Sequence, residues 1–397
     1  MELIMYHLVE VKTKKQEEAF LKIPALLYEV NEETKWVSPL FSDTKSFFDV
    51  RKNPLLKDGE ANRWLLYDVN KHPIGRIAAF YWNKTIGKQD PRMGYFGFFE
   101  CAEDKRGAER LFKIAMEWLL SKGMKGMQGP FHLGGPGFFI GSLIRGFFEP
   151  VYGVPYNFSF YNDLFLNYGF NDVSKFETYR ISLSDSLNWK FVGKKTNRFY
   201  HDLRYHIEFY NHKNGKKYAE DFAVVFNKVW AGFPGMAAMT PQRAMDRFRL
   251  LRPVLVKKTI FFIYFENTPV AFLVAVPDIH EVIRKFKGKY NIFDKVRLWL
   301  AVNVFKKVNT LSGLIYGVAP EHRGKELEAV LFYTLKKQIK QNKLKYRELK
   351  LSRVGDFAPD TKKIIEQLDG RLYHLYVTYQ LMFDEVEKRN RKTDVAS

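Results

Sequence analysis

The chain carries one pattern twice, and that repeat limits the folds open to it. Residues 67–80 read as a strand, a tight turn and a strand, with Asn70, Lys71 and His72 at the turn. Residues 264–276 repeat the form around Glu266, Asn267 and Thr268. In the first copy a strand at 94–100 leads into a helix at about 106–121. Its apolar positions Leu111, Ile114, Ala115, Trp118 and Leu119 fall at helical spacing. Gly123 ends that helix, and a strand runs on to Gly129 and Pro130. In the second copy a strand at 313–319 leads to a helix at about 325–341, whose face is Leu327, Val330, Leu331, Thr334, Leu335 and Ile339. A strand at 347–352 follows. Both halves end alike, with a helix at 161–168 and a strand at 176–181 matching a helix at 361–368 and a strand at 373–382. The order hairpin, strand, helix, strand, helix, strand is the core of a mixed α/β (α+β) sheet. Two copies predict two domains, 1–185 and 186–385, with a polar tail at 386–397.

Residues 316–327 read Tyr-Gly-Val-Ala-Pro-Glu-His-Arg-Gly-Lys-Glu-Leu. A strand ends at Val318, a basic turn carries Arg323, Gly324 and Lys325, and a helix opens behind it. Free backbone N–H groups and the positive end of a helix dipole then meet at one point, which suits a phosphate. The stretch resembles the acyl-CoA pyrophosphate loop of the GNAT acyltransferase superfamily. The superfamily pattern is Arg-x-x-Gly-x-Gly/Ala. Here Glu326 and Glu328 stand where the pattern asks for small residues, and a carboxylate there repels a phosphate.

The resemblance covers nearly the whole chain. It is carried by Ile23-Pro24, Leu27-Tyr28, Trp36-Val-Ser-Pro-Leu, Lys52-Asn-Pro-Leu-Leu, Gly75-Arg-Ile-Ala-Ala and Gly97-Phe-Phe-Glu-Cys. It continues with Gly129-Pro130, Pro155-Tyr156-Asn157, Trp230, Pro241 and Gly370-Arg371. Together these resemble a bacterial family of tandem-GNAT proteins, some of whose relatives are linked to N-acylation of long-chain bases in sphingolipid synthesis. The fold this implies is two tandem GNAT-like domains, each a mixed, mostly antiparallel sheet flanked by helices. The implied activity is transfer of an acyl group from acyl-CoA or acetyl-CoA to an amine, with a long-chain lipid amine as the acceptor class and no metal. After Gly129-Pro130 the family runs through a polar stretch, where this chain has the apolar, glycine-rich 131–141.

N-acyl transfer needs an oxyanion donor, a base for the amine proton and an acid for the leaving thiolate. By the resemblance, Gly317, Val318 and Ala319 border the thioester, with the Val318 amide as oxyanion donor. Tyr373 and Tyr376 then fall where the superfamily keeps its general acid. Glu100, His132 and Glu321 are the base candidates. The first domain lacks a basic Gly-rich turn after Cys101, which leaves CoA to the second and gives the first the shaping of the acceptor pocket. Two rival readings stand beside this one: a catalytically degenerate tandem GNAT that binds a ligand or partner, and a tRNA-dependent aminoacyl transferase. No long helical-hairpin insertion supports the latter.

Lys and Arg number 64 against 44 Asp and Glu, a net charge of +20 that favours anionic partners. A 46% hydrophobic, 16% aromatic chain of 397 residues has ample material for folded cores. The single cysteine, Cys101, leaves no intramolecular disulfide or multi-cysteine metal site and reads as a buried small hydrophobe. Without a signal peptide or a spanning run of apolar residues, the expectation is a cytoplasmic protein, peripheral at the inner face of the membrane. Residues 283–308 interleave Lys and Arg with Phe, Tyr, Trp and Leu, and much of the stretch reads as a basic amphipathic helix suited to an anionic membrane. Nucleic acid is not expected, because no recognition signature accompanies the charge.

Overall fold

The computed structural model describes residues 6–30, 34–82, 92–133, 141–230, 238–305, 307–355 and 359–386. The tail at 387–397 and most of the glycine-rich loop after Leu133 lie outside them. The chain divides into two compact units. One holds Met1–Phe176, Ile283–Tyr290 and His374–Ser397, and the other holds Glu177–Val282 and Asn291–Tyr373.

The first unit contains β1 (His7–Glu10), β2 (Gly59–Tyr67), β3 (Pro73–Trp82), β4 (Met93–Cys101), β5 (Gly126–Phe131) and β6 (Ser142–Arg145). The second contains β8 (Tyr205–Phe209), β9 (Ile260–Phe265), β10 (Thr268–Pro277), β11 (Thr310–Val318) and β12 (Glu348–Gly355). Two long strands, β7 (Asn171–Ser182) and β13 (Arg371–Met382), close the sheets. The first sheet runs β1-β2-β3-β4-β5-β13, with β6 also on β13, and the second runs β7-β12-β11-β10-β9-β8. Apart from the pairs made by β7, the described ladders are antiparallel except at β4–β5 and β11–β12, which are parallel and each joined through a helix.

Amphipathic helices cover both faces of each sheet. In the first unit the helix Lys105–Ser121 starts at Asp104, whose carboxylate accepts from the Arg106 and Gly107 amides. It buries Leu111, Phe112, Ala115 and Leu119 against Ile77, Ala79 and Phe96. Helix Lys14–Tyr28 buries Phe20 and Ile23 on the other face, against Leu65, Ala78 and Phe80. In the second unit helix Leu327–Gln341 packs Leu327, Val330, Leu331 and Leu335 against Leu273, Leu349 and Leu351. Helix Gly215–Trp230 packs Phe222 and Phe226 on the opposite face.

The first sheet is closed by β13: Tyr379 pairs with Gly129 and Met382 with Gly126. Its Val377, Tyr379 and Leu381 belong to the same core as Phe96 and Leu111. In the second unit the end of β7 stands next to β12, with Ile181 in the core of Leu349 and Leu351. The 283–308 stretch is not one helix. Lys287 and Gly288 take left-handed conformations, with φ 46° and 79°, and helical structure resumes only at Ile292–Trp299. A Lys-Gly pair in that region stops a right-handed helix because its N–H groups turn out of line.

The dependence of the first core on β13 is testable. A fragment of residues 1–185 lacks Val377, Tyr379 and Leu381 and is expected to show no cooperative thermal transition by circular dichroism. A sharp transition in that fragment would show β13 to be dispensable.

Candidate functional site

In the first unit, β4 departs from regular pairing beside β5. Arg76 pairs with Glu100, yet Ala78 pairs with Gly97, so β4 carries an extra residue there. Phe98 sits in this bulge at φ 49°, a conformation that costs a bulky residue ~1–3 kcal/mol. Gly97 is needed at the close approach to β5, since a Cβ would lie 1.6 Å from the Phe131 carbonyl oxygen. Past this point a cavity of about 30 Å³ opens, lined among others by Phe98, Glu100, His132, Ser142, Asn157 and Tyr161. That volume holds about two water molecules.

Glu100 is buried and fully engaged. Arg76 Nη2 lies 3.4 Å from Oε1, and Tyr161 Oη donates to Oε2 at 3.0 Å. The Tyr161 oxygen in turn accepts from the Cys101 amide at 2.9 Å. Arg76 is fixed by the Phe20 carbonyl at 2.6 Å and by the Phe20 ring 4.7 Å away. Burial pushes the Glu100 carboxyl above the usual range, and the Arg76 charge pulls it back. Burial also holds Tyr161 well above the usual phenol value, so it keeps its proton. His132 stacks on Phe98 with ring centroids 4.9 Å apart. Burial, and then the Arg76 cation, lower its pKa to about 4. Asn157 braces the wall: its Oδ1 accepts from the Leu143 amide at 2.6 Å and its Nδ2 donates to the Leu143 carbonyl at 3.1 Å.

The first unit thus brings Glu100 and His132 to one cavity. Tyr376 also belongs to this unit: it pairs with Leu143 and donates to the carbonyl of Pro155, a cavity-wall residue, at 3.1 Å. Tyr373 lies in the second unit, with Lys350 Nζ 4.9 Å from its ring centroid. Lys350 pairs with Asp278 at 3.5 Å. These two belong to a buried polar row on one face of β10, β11 and β12, with Thr310, Ser312 and Ser352.

Val318, Ala319, Arg323, Gly324 and Lys325 are together in the second unit. The Ala319 amide bonds the Val270 carbonyl at 2.8 Å. Alternation along the ladder turns the Val318 amide to the other edge. There the described pairs with β12 end at Gly313 and Leu351. Arg323, Gly324 and Lys325 are exposed, and Gly324, at φ 73°, has open space where a Cβ would be. Glu326 precedes the helix at φ 61° without capping it through its side chain, unlike Asp104 in the first unit. Glu326 is exposed, but Glu328 is buried. Burial raises the Glu328 pKa, and its own backbone N–H and the Arg323 charge oppose that shift. Glu321 is exposed and paired with Lys228.

Tyr161 and Asn157 line the cavity and Arg76 holds Glu100; in the sequence Arg76 and Asn157 stood only inside the motifs of the resemblance, with no site role. The signal for Arg76 is a lone cation inside the apolar run Gly75-Arg-Ile-Ala-Ala. Tyr161 gave none, because a tyrosine in an apolar helix reads as core. Among the described residues no group of three or more His, Cys, Asp or Glu could hold a metal ion.

These folds have known counterparts. A tandem GNAT protein from the clavulanic acid biosynthesis pathway superposes with a TM-score of 0.55 at 10% identity, covering 95% of this chain and 98% of that one. The chain has the tandem GNAT fold. A GCN5-related glucosamine N-acetyltransferase region of a fungal β-N-acetylglucosaminidase gives a TM-score of 0.58 at 8% identity. It covers 96% of this chain, which spans 38% of that chain's length. In sequence, the chain is similar to a bacterial ceramide synthase of Caulobacter vibrioides, 21% identical over 388 residues, with 94% of this chain and 96% of the relative covered. It is also similar to protein YghO of Escherichia coli, 23% identical over 372 residues, with 91% and 92% covered. No family model matches the chain.

His132 is neutral in the folded state well below its ordinary pKa. The unfolded chain binds a proton from about pH 6.5 downward and the folded chain only near pH 4. Its contribution to stability is therefore full above pH 6.5 and is lost as pH falls toward 4. Allowing for its partial exposure, the loss is on the order of 1–2 kcal/mol. His132→Phe is expected to flatten that part of the acid limb in urea-unfolding curves measured from pH 7 to 4. An unchanged limb would rule out a neutral, buried imidazole.

Proposed function

We propose that the protein is an N-acyltransferase that moves an acyl group from acyl-CoA to the amine of a long-chain lipid base. The observation that carries the reading is Glu100, a buried carboxylate at the bulge of β4 in a small polar recess. The likeness to a bacterial ceramide synthase supports the choice of acceptor, since a ceramide is an N-acylated long-chain base.

In this reading the amine nitrogen attacks the thioester carbonyl carbon, the C–N bond forms and the C–S bond breaks. Glu100 accepts the proton that the nitrogen loses. Its upward-shifted pKa suits the task, because a base works best with a pKa near the working pH. His132, whose conjugate acid forms only near pH 4, is a weaker base and serves by shaping the recess around Phe98. The leaving thiolate carries its electron pair away and takes a proton from a buried hydroxyl or from water. Tyr376 is the hydroxyl we assign to this step, because it borders the recess through Pro155.

Independently of the recess, the second unit carries its own proposed site for CoA phosphates at Arg323, Gly324 and Lys325. Of the two helices that follow the bulged strands, the one starting at Leu327 lacks a side-chain cap, whereas Asp104 occupies the amides of the other. Glu328 opposes that binding.

Acyl transfer is measured by mass spectrometry with palmitoyl-CoA and a long-chain amino alcohol. Glu100→Gln is expected to lower kcat by about 10²–10⁴ while the thermal transition remains cooperative. The wild type is expected to gain activity with pH through the raised carboxyl pKa, since the base must be ionised. Glu100→Gln at wild-type rate would remove Glu100 from the mechanism.

Calorimetric titration with CoA tests the phosphate site separately. Arg323→Ala is expected to weaken binding about tenfold, in line with one lost charge-assisted contact of ~1.4 kcal/mol. Glu328→Gln is expected to tighten it by removing a competing carboxyl from the first helical turn. Equal binding by all three proteins, or none by wild type, would place the donor elsewhere.

A further inference from the structure

The second unit displays an apolar face turned away from its own core. Of the 21 large hydrophobic side chains exposed among the described residues, six fall within 292–305: Ile292, Phe293, Val296, Trp299, Val304 and Phe305. The clustering is not chance scatter of single exposed residues, because the helix is organised around it. With ~100° per residue, Ile292, Phe293, Val296 and Trp299 share an arc of about 120°. On the far side, Asp294 and Leu298 are buried, with Leu298 at 3% exposure against 75% for Phe293. The segment is thus apolar on two sides, one packed through Leu298, Ala301 and Val302 and the other exposed, whereas a helix that merely covers its own domain turns a polar side outward.

The cations are placed to match. Exposed Lys295 and Arg297 flank the apolar arc, each about 40° beyond its edge at ~100° per residue. Asn303 Nδ2 donates to the Pro253 carbonyl at 3.2 Å, which sets the end of this segment beside the end of helix Pro241–Leu251. That end adds Leu250, 80% exposed, and the exposed Arg249 and Arg252. A rim of positive charge around exposed aromatic and aliphatic side chains fits the boundary of an anionic bilayer, where apolar groups enter the acyl region and cations meet the headgroups. No described helix is long and apolar enough to cross a membrane.

We propose that this face, residues 292–305 with Leu250, docks the protein on an anionic lipid surface. The inference stands apart from the acyltransferase reading, since it uses none of the recess residues and is read without turnover. The occupant is lipid rather than protein because the face combines a convex helix with a cationic rim, in a chain of net charge +20.

The test is co-sedimentation of the full chain with sucrose-loaded vesicles of phosphatidylcholine alone or with a third phosphatidylglycerol. At low salt, wild type is expected to pellet with the anionic vesicles and to be largely released by high salt. The triple variant Phe293→Ser, Trp299→Ser, Phe305→Ser is expected to bind at least about tenfold more weakly at every salt concentration. Lys295→Glu with Arg297→Glu is expected to lose the salt-sensitive part. Phe293, Trp299 and Phe305 are exposed, so the thermal transition of the triple variant should match wild type and its binding loss reports the surface. Wild type remaining in the supernatant at low salt overturns the proposal. So does wild-type binding by the triple variant. So does a wild-type dimer in solution that the triple variant abolishes without any change in vesicle binding.

Discussion

Both candidate sites depend on a parallel strand pair that does not run the full length of its strands. In the first unit β4 and β5 pair from Met93 and Gly126 to Gly97 and Phe131, with a register shift on the way. In the second, the described pairing of β11 with β12 ends at Gly313 and Leu351, five residues before Val318. A strand in mid-sheet that loses one neighbour still has backbone groups turned to that side, and a buried edge must be satisfied by something else. In the first unit the adjoining space is filled by the side chains of Phe98, Glu100 and His132 and a small polar recess. In the second the corresponding edge carries the Val318 amide, followed by the basic turn. The bulges fix which side chains reach the gap. One extra residue at Phe98 determines the direction in which Glu100 points, and the register shift at Val274 and Ala275 leaves an extra residue, Leu314, on β11.

Much of this was legible in the sequence because it is local. The hairpins at 67–80 and 264–276 announce themselves through turn residues between apolar runs, and the helices at 106–121 and 325–341 through a spacing near 3.6. The observed helices, Lys105–Ser121 and Leu327–Gln341, differ from those expectations by one or two residues. The destination of the closing strands is another matter. β7 and β13 carry similar patterns and follow similar helices, so nothing local distinguishes which sheet accepts which strand. The pairing of Tyr379 with Gly129 spans some 250 residues and is decided by packing of Val377 and Leu381 into a core already formed by Phe96 and Leu111. The same holds for the site. Glu100 and His132 could be named from their positions, but Arg76 and Tyr161 reach Glu100 from other strands and helices, and only the fold brings them there. The 283–308 stretch was legible in charge and in apolar content, but its conformation was not. Lys287 and Gly288 break it, and the part that remains helical exposes the residues that a packed helix would bury.

The two units differ at the first turn of the helix that follows the bulged strand. Asp104 accepts from two backbone N–H groups and thereby spends the positive end of its helix on a carboxylate of the chain itself. Glu326, in a left-handed conformation, makes no side-chain cap, and the space around Gly324 stays open. On the proposed assignment, that difference leaves the helix start of the second unit open to an external anion, whereas the first is occupied by Asp104. Glu328 sits between these outcomes. It is buried near the helix start with a raised pKa, and its ionisation sets how much of the dipole remains for a ligand. Because Arg323 opposes that upward shift, an anion that neutralises Arg323 favours the protonated carboxyl. On the proposed assignment, anion binding there would be coupled to uptake of a proton, and the carboxylate at 328 would link affinity to pH rather than act as an absolute block.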